Sequence, residues 1–263
     1  MMTVGSLFSG IGGLELGLEQ TGHFQVKWQV EIDPFANEIL KKHWPGVRRF
    51  SDVRDFHPTG DDMRVDLICG GFPCVDVSNA KTAQEGGPQG LKGAQSGLWF
   101  QFLRVVREAR PRWVLIENVG ALSVRGLGTV LWGLSSSGYD AEWATISAAS
   151  LGAPHLRKRL FIVARVQDPD RKGLEGPIGK ILAQPRTWRQ DANAARSAWW
   201  DAEPSVDRVA DGVPVGLDGK QRRYPKHTKG RLKALGNAVV PAVARFIGQR
   251  LWEANQPIHP TQT

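Results

Sequence analysis

The sequence predicts an α/β fold: a doubly wound, mostly parallel sheet with a terminal antiparallel strand, plus a small irregular lobe inserted late in the chain. Three observations carry this. Apolar runs short enough for buried strands alternate with segments of helical period. The first run ends in a glycine-rich turn that opens a helix, Ser9-Gly10-Ile11-Gly12-Gly13, the kind of cradle such sheets use for nucleotide-like ligands. The last two runs, Ala141 to Ser147 and Leu160 to Val166, lie about a dozen residues apart with Pro154 between them. That is too few for a helical crossover, so they are expected to pair antiparallel.

The elements follow in order. Thr3 to Phe8 reads as a buried strand, and Leu14 and Leu18 begin the helix after the glycine-rich turn. The glycine spacing is not G-x-G-x-x-G, and a plain tight turn explains it as well as a ligand cradle does. Phe24 to Ile32 is a second strand ending in Glu31. Asp33 can cap the free N–H groups of the next helix, and Pro34 suits its first position. Phe35, Ile39 and Leu40 give that helix an apolar face, and Lys41 and Lys42 suit its C-terminal dipole. An acid about 20 residues past a glycine-rich turn, at the end of the second strand, is where such folds bind a ribose hydroxyl pair. A solvated surface acid is the alternative for Glu31. Asp52-Val53 then precedes a polar loop from Asp55 to Arg64.

The centre of the chain is the strand Val65 to Cys69, followed by Gly70-Gly71-Phe72-Pro73-Cys74. The glycines let the backbone turn and let another molecule approach, and Pro73 fixes the chain before the thiol. Chemistry in open α/β sheets sits beyond the carboxyl ends of the strands, so Cys74 is a candidate nucleophile. An inert, buried thiol is the competing reading, and it is the reading given to Cys69. The stretch from Asn79 to Gly97 is glycine-rich and polar, too long for an idle connection, and suits a lid. Trp99, Phe102, Leu103 and Val106 repeat at helical spacing, and Pro111 ends that helix. Trp113 to Ile116 is a further buried strand, delivering Glu117-Asn118-Val119 to the same sheet edge as Cys74. A carboxylate directly after a buried strand must be paired, exposed or used. Gly126 to Ser137 reads as a helix. Arg157 and Arg159 alternate at the start of the last strand and share a face; a basic edge that resists aggregation is the alternative.

Beyond residue 167 the character changes. Arg186, Trp188, Arg189, Arg196, Trp199 and Trp200 mix bases with aromatics, which suits stacking and phosphate contact, though a small tryptophan-cored lobe explains them equally well. Lys220, Arg222, Arg223, Lys226, Lys229, Arg231 and Lys233 then crowd together without an acid, a candidate phosphate-binding run or a solvated one. The organisation expected is therefore 1–166, a lobe at 167–230, and a segment from 231 to 263 whose helix, Pro241 to Trp252, returns to the first domain. The chain of 263 residues carries 34 basic and 26 acidic residues, a formal charge of +8, which favours an anionic partner such as nucleic acid. Two cysteines in unlike contexts make no disulfide framework, so a reducing cytoplasm is expected. No secretory signal and no run near the roughly 18 apolar residues of a membrane helix is visible.

With these pieces in order the chain resembles the DNA (cytosine-5) methyltransferases, particularly small prokaryotic or phage-like members. The resemblance covers nearly all of residues 3–166 and 231–250. Phe8-Ser9-Gly10-Ile11-Gly12-Gly13 is similar to the family's cofactor motif. Glu31 matches its ribose-binding acid and Asp52 its adenine-contacting acid. Pro73-Cys74 resembles the nucleophile motif, Glu117-Asn118-Val119 the second catalytic motif, and Arg157 and Arg159 the arginines of Gln-x-Arg-x-Arg. Gly236-Asn237-Ala238-Val239 resembles the late motif that closes the methionine end of the cofactor site. Two positions depart: Val75 and His155 stand where the family usually has Gln, which implies altered DNA or loop contacts. The region between the arginine and last motifs is short, with the family's ninth motif degenerate in Glu203 to Pro214.

The resemblance implies a Rossmann-like, S-adenosylmethionine-dependent methyltransferase. Cys74, Glu117, Arg157 and Arg159 would be catalytic. Phe8, Gly10, Gly12, Gly13, Glu31, Ile32, Asp52, Val53, Phe72, Trp99, Asn237 and Ala238 would hold the cofactor. Ser78, Lys81, Lys92, Arg222, Arg223 and Lys226 would contact double-stranded DNA. Cys74 would add to carbon 6 of a flipped-out cytosine, Glu117 would hold or protonate ring nitrogen 3 and the exocyclic amine, and Arg159 would donate to the base carbonyl. Arg157 would support the thiolate side or a phosphate. No metal is expected; a monomer is, with a cognate restriction endonuclease as a conceivable companion. An RNA cytosine methyltransferase would use the same chemistry, and a nucleic-acid-binding module with a vestigial site or a nicotinamide dehydrogenase are rivals of other classes. The glycine spacing argues against the dehydrogenase.

Overall fold

The computed structural model of the chain describes residues 1–73, 97–153, 155–167, 181–182 and 233–256. Seven strands form one sheet in the order β3-β2-β1-β4-β5-β7-β6: β1 Met2–Leu7, β2 Phe24–Val30, β3 Arg48–Phe50, β4 Leu67–Gly70, β5 Trp113–Val119, β6 Tyr139–Ser147 and β7 Lys158–Val166. The first five run parallel. The strand order reverses where β1 lies between β2 and β4, which is where a crevice opens beyond the carboxyl ends of an open sheet.

As expected, the last two strands pair antiparallel. The last strand in the chain is not the last in the sheet, however: β7 inserts between β5 and β6, antiparallel to both, and β6 forms the edge. This placement carries Arg159 to the end of β5. Val119 pairs directly with Arg159 and Glu117 with Phe161, so the Arg159 side chain is the diagonal neighbour of Glu117 on one face.

Helices cover both faces because the central strands are apolar on both sides; Leu67, Ile68, Cys69 and the run Trp113 to Ile116 are fully buried. One face packs on α1 (Gly13–Glu19), α2 (Pro34–His43) and α6 (Pro241–Asn255), and the other on α3 (Leu98–Ala109), α4 (Leu122–Arg125) and α5 (Leu127–Ser135). The helix expected over 126–137 is present as α5, and the short α4, which was not expected, precedes it across Gly126. The C-terminal helix, α6, packs on α1. It crosses α1 so closely that a Cβ on Gly17 would lie 2.3 Å from the Pro241 carbonyl oxygen. Asp33 caps α2, accepting from the N–H of Phe35 at 2.9 Å and of Ala36 at 3.4 Å.

The short strand β3 was not expected; its three residues, two of them arginines, carry no period to read. Most of the lobe expected at 167–230 lies outside the described residues. The exception is Ile181-Leu182, which is buried against the first domain, where the Leu182 N–H donates to Glu142 at 2.8 Å. Among the described residues no helix is long and apolar enough to cross a membrane.

Candidate active site

The glycine-rich turn between β1 and α1 is held in a conformation few residues adopt. Phe8, Gly10 and Gly12 have φ of 54°, 55° and 85°. For glycine this costs little; for Phe8 it is strain of the kind that clusters at ligand clamps. Glu31, at the end of β2, keeps the turn in place. One carboxylate oxygen accepts from the Gly10 N–H at 2.7 Å and the other from the Asp33 N–H at 2.8 Å. The residue expected to bind a ribose therefore also ties the turn to the start of α2. A carboxylate offers about four acceptor sites, so capacity for a ligand's hydroxyls is left.

The second half of the site grows from the ends of β4 and β5. Asn118 donates from Nδ2 to the Phe72 carbonyl at 3.1 Å, and its own Oδ1 accepts from the Val119 N–H at 2.8 Å. The segment leading to Cys74 is thus pinned to β5. Phe72 packs on Trp99 and Phe102 at ring separations of 5.4 and 6.5 Å. Gly71 passes so close to Glu117 that a Cβ would lie 2.9 Å from its Oε2.

Glu117 is 7% exposed, and Arg159 Nε lies 3.0 Å from its Oε1. Burial pushes its carboxyl up to about 7, and the nearby charges of Arg159 and Arg157 oppose that shift only in part. Desolvation wins because the group has almost no water to stabilise its charge. A carboxyl poised near neutrality can hold or release a proton at working pH.

These two halves meet in one cavity of about 650 Å³. Of the residues expected to act, Phe8, Gly10, Gly13, Glu31, Ile32, Phe72, Glu117, Arg159, Asn237 and Ala238 line it. Its donors, apolar rings and acid suit an adenosine-like cofactor with a charged tail. A wider hollow of about 910 Å³ lies at the amino ends of the strands, against Thr3, Asp66 and Arg112. None of the expected site residues lines that hollow.

Other expected residues sit elsewhere. Gly12 makes room for the Trp44 ring, which a Cβ would approach to 2.4 Å. Asp52 is engaged by Arg54 at 2.6 Å and is not part of the cavity wall. Val53 and Trp99 are in the apolar core, Trp99 behind Phe72. Arg157 donates from Nη2 to the carbonyl oxygens of Gly236, at 2.8 Å, and Ala238. Cys74, Ser78, Lys81, Lys92, Arg222, Arg223 and Lys226 lie outside the described residues.

Three residues take roles that sequence reading did not give them. Lys233, read as part of a phosphate-binding run, lines the cavity and pairs with Asp33 at 2.8 Å. Asn118 acts through Phe72, and Gly71 matters for its lack of a side chain; the adjacency of Gly71 to the Pro-Cys turn was the available signal for the latter.

A family model for C-5 cytosine-specific DNA methylases matches residues 2–203. Type II methyltransferase M2.BsuMI of Bacillus subtilis (strain 168) is 37% identical over 177 residues, which cover 64% of this chain and 43% of that protein. Type II methyltransferase M.CviJI of Paramecium bursaria Chlorella virus IL3A is 30% identical over 241 residues, covering 91% of this chain and 56% of that protein. The chain thus spans about half the length of the curated relatives it matches. Among solved structures, a protein assigned as a DNA modification methyltransferase of an E. coli prophage superposes with a TM-score of 0.61 at 20% identity, over 97% of this chain and 99% of the other. A DNMT2 variant from Spodoptera frugiperda superposes with a TM-score of 0.54 at 17% identity, over 66% and 53%. At these identities the likeness is one of fold.

Proposed function

The chain belongs to the C-5 cytosine-specific DNA methylases, and we propose that it transfers a methyl group from S-adenosylmethionine to carbon 5 of a cytosine flipped out of duplex DNA. The observation that carries this reading is Glu117: a buried carboxyl with its pKa at about 7, paired with Arg159, in the same cavity as the strained glycine-rich turn.

The division of labour follows from the two halves of the cavity. Gly10, Gly13, Glu31, Ile32, Phe72, Asn237 and Ala238 would hold the cofactor, with the carboxylate of Glu31 facing the ribose. When bound, S-adenosylmethionine supplies an electrophilic methyl group. Carbon 5 of cytosine is a weak nucleophile, and a thiolate adding at carbon 6 moves electron density to carbon 5. Cys74 is the residue proposed for that bond. It directly follows Pro73, which lines the cavity.

Protonated Glu117 would donate its proton to ring nitrogen 3 as the thiolate adds, and ionised Glu117 would accept from the exocyclic amine. Arg159 would donate to the base carbonyl and hold Glu117 in place. Loss of the proton on carbon 5 to solvent, departure of the Cys74 thiolate and return of the nitrogen 3 proton to Glu117 restore the ring and free the product. A stacked base cannot reach such a cavity, so the cytosine must leave the helix. The lobe at 167–230 and the basic run at 220–231 are proposed to make the DNA contacts, and Ser78, Lys81 and Lys92 to belong to a segment that closes over the base. A cytoplasmic monomer, alone or beside a restriction endonuclease, fits this reading.

Labelled methyl transfer to unmethylated duplex DNA, with transfer RNA in parallel, tests it. 5-Methylcytosine in DNA, absent for Cys74→Ala, is the expected result. Label in RNA alone would move the substrate to the other polymer, and a Cys74→Ala enzyme as active as wild type would remove the covalent step.

A further inference from the structure

We infer that Arg157 is a positioning residue of the cofactor cavity: with Lys233 it latches the segment 233–239 in place as the third wall of that cavity. The ligand's identity rests on the methyltransferase reading above; the latch itself rests on contacts within the chain.

The segment enters as a helical turn at 233–237 and supplies Lys233, Ala234, Asn237, Ala238 and Val239 to the cavity wall. Apolar burial holds it only at its far end, where Val239 and Val240 pack half-buried against the core. Lys233, Leu235, Gly236 and Asn237 are exposed, and Ala238 to Val240 only half-buried. The rest of its attachment to the domain is polar and comes from opposite sides. From the residue just before β7, the Arg157 guanidinium donates to the carbonyls of Gly236 and Ala238. From the start of α2, the Asp33 carboxylate accepts from Lys233 Nζ at 2.8 Å. Between these, the Val239 carbonyl oxygen occupies the place a Cβ on Gly13 would take, 2.4 Å from it. This contact is open only to glycine, and it brings the wall against the glycine-rich turn.

The chemistry of each latch suits its place. The last carbonyls of a helical turn lack internal partners, and a cation is the favoured donor there. A guanidinium can serve two carbonyls at once, which an ammonium does with less geometric control. Charge-assisted bonds of this kind are stronger than neutral ones. Asp33 already caps α2 with one carboxylate oxygen, so Lys233 engages the other without disturbing the helix.

The arrangement also separates two arginines that share a strand face. Arg159 faces Glu117, and Arg157 faces the wall. Both feel the charge of Glu117, so the wall is joined to the catalytic carboxyl through two arginines at and just before the start of β7. An Arg157 engaged by two carbonyls is a support for the cofactor site and not a phosphate contact.

Equilibrium binding of S-adenosylmethionine by calorimetry, together with duplex DNA binding across a salt series, tests this. Arg157→Met is expected to weaken cofactor binding about tenfold or more, the order for loss of hydrogen bonds to a charged donor, with Arg157→Lys recovering part of it. The salt slope of DNA binding should stay at the wild-type value, whereas loss of a phosphate contact would reduce it by about 1.

Lys233→Met should weaken the cofactor about two- to threefold, as its ion pair is exposed. Asp33→Asn keeps the cap and should do the same, and the double variant should be no worse than either single. This cycle uses one exposed and one half-buried position and decides the Lys233 end even if Arg157→Met fails to fold; Arg157→Lys then decides the other end. Additive losses would mean that Lys233 reaches the ligand itself and would overturn the latch at that end. Wild-type cofactor affinity in a folded Arg157→Met protein, or a reduced salt slope, would overturn the role of Arg157. Absence of cofactor binding by the wild type would instead overturn the methyltransferase reading, and this inference with it.

Discussion

Glu117 and Glu15 carry the same titration shift in two unlike regions. Both are buried carboxyls pushed up to about 7 by desolvation. Glu117 stands at the end of β5, in the wall of the cavity, with Arg159 at 3.0 Å. Glu15 lies in the first turn of α1, fully buried beneath the glycine-rich turn and facing Ser6, Ser9, Gln29 and Cys69. No hydrogen bond of ordinary geometry reaches either carboxylate oxygen among the described residues, although Ser6, Ser9 and Gln29 lie near enough to oppose the shift in part. A shifted pKa alone therefore does not mark a catalytic group. Glu117 is distinguished by access to the cavity and by a cation that can stabilise its ionised form; Glu15 has neither, and its proton is a matter of stability.

Substitution by glutamine separates the two most sharply. Glu117→Gln should lower the rate of methyl transfer by about 10²- to 10⁴-fold, the usual contribution of a positioned acid or base, while leaving the protein folded. If the protonated form of Glu117 is the active one, the wild-type rate falls as pH rises through about 7, its folded-state pKa. The residual rate of the variant should show no such limb. Single-turnover rates across pH 5.5 to 8.5, on the order of one unit either side of a shifted titration, measure both, and a variant with wild-type rate would erase the distinction from Glu15.

Glu15→Gln should act on stability instead. The folded chain retains the Glu15 proton between the ordinary 4.5 and about 7, where the unfolded chain releases it, so stability falls as pH rises across that window. The variant removes this fall. It should be more stable than wild type by about 3 kcal/mol at pH 8, the free energy of a shift of this size, and no more stable below the ordinary carboxyl pKa. Urea unfolding at the two pH values reads this, and equal stability at pH 8 would show that the carboxyl finds partners or water that relieve its burial.

Much of this arrangement was legible in the sequence. The alternating apolar runs gave the layered sheet, and the short link between β6 and β7 gave their antiparallel pairing. Asp33-Pro34 read correctly as a helix start because capping is local. What failed to show was non-local. Spacing places β6 beside β7 but does not say that β7 lies next to β5, and that neighbour is what sets Arg159 beside Glu117. Arg157 and Arg159 read as one pair on one face, yet the partner of Arg157 arrives 79 residues later in the chain. Glu15 looks like an ordinary acid at a helix start, where the dipole favours one; only the packing of α1 on β1 and β2 buries it. Trp99 fits the helical apolar stripe that placed it in the core, and that stripe was the better guide to it.

Gly71→Ala probes the comparison from the side of packing. The added methyl would meet Glu117 Oε2 at 2.9 Å and the Glu117 carbonyl at 3.1 Å. The carboxylate must shift or the β4 turn must yield, at a cost of about 1–3 kcal/mol. The rate should fall about tenfold, through displacement of Glu117 from Arg159. No comparable neighbour crowds Glu15, so a loss of rate without a change in the pH dependence of stability would localise the effect. A Gly71→Ala enzyme at wild-type rate would mean that Glu117 tolerates displacement and that its position is not what matters.

Glu142 sharpens the comparison with the smallest effect. Its carboxyl, in β6, is also pushed up to about 7, by burial, and accepts from the Leu182 N–H at 2.8 Å. Unlike the other two it is only half-buried and reachable by solvent. Water screens its charge, so the shift translates into much less stability than for Glu15; Glu142→Gln should change stability by less than about 1 kcal/mol at any pH. Glutamine keeps an acceptor for the Leu182 N–H, so the contact of residues 181–182 with the sheet edge should survive. The three glutamine variants then rank by environment and not by pKa: rate for the carboxyl in the cavity, stability for the one sealed in the core, and little of either for the one at the edge. A stability gain for Glu142→Gln as large as that for Glu15→Gln would show that the edge is drier than its exposure implies and that the shift itself is the better measure.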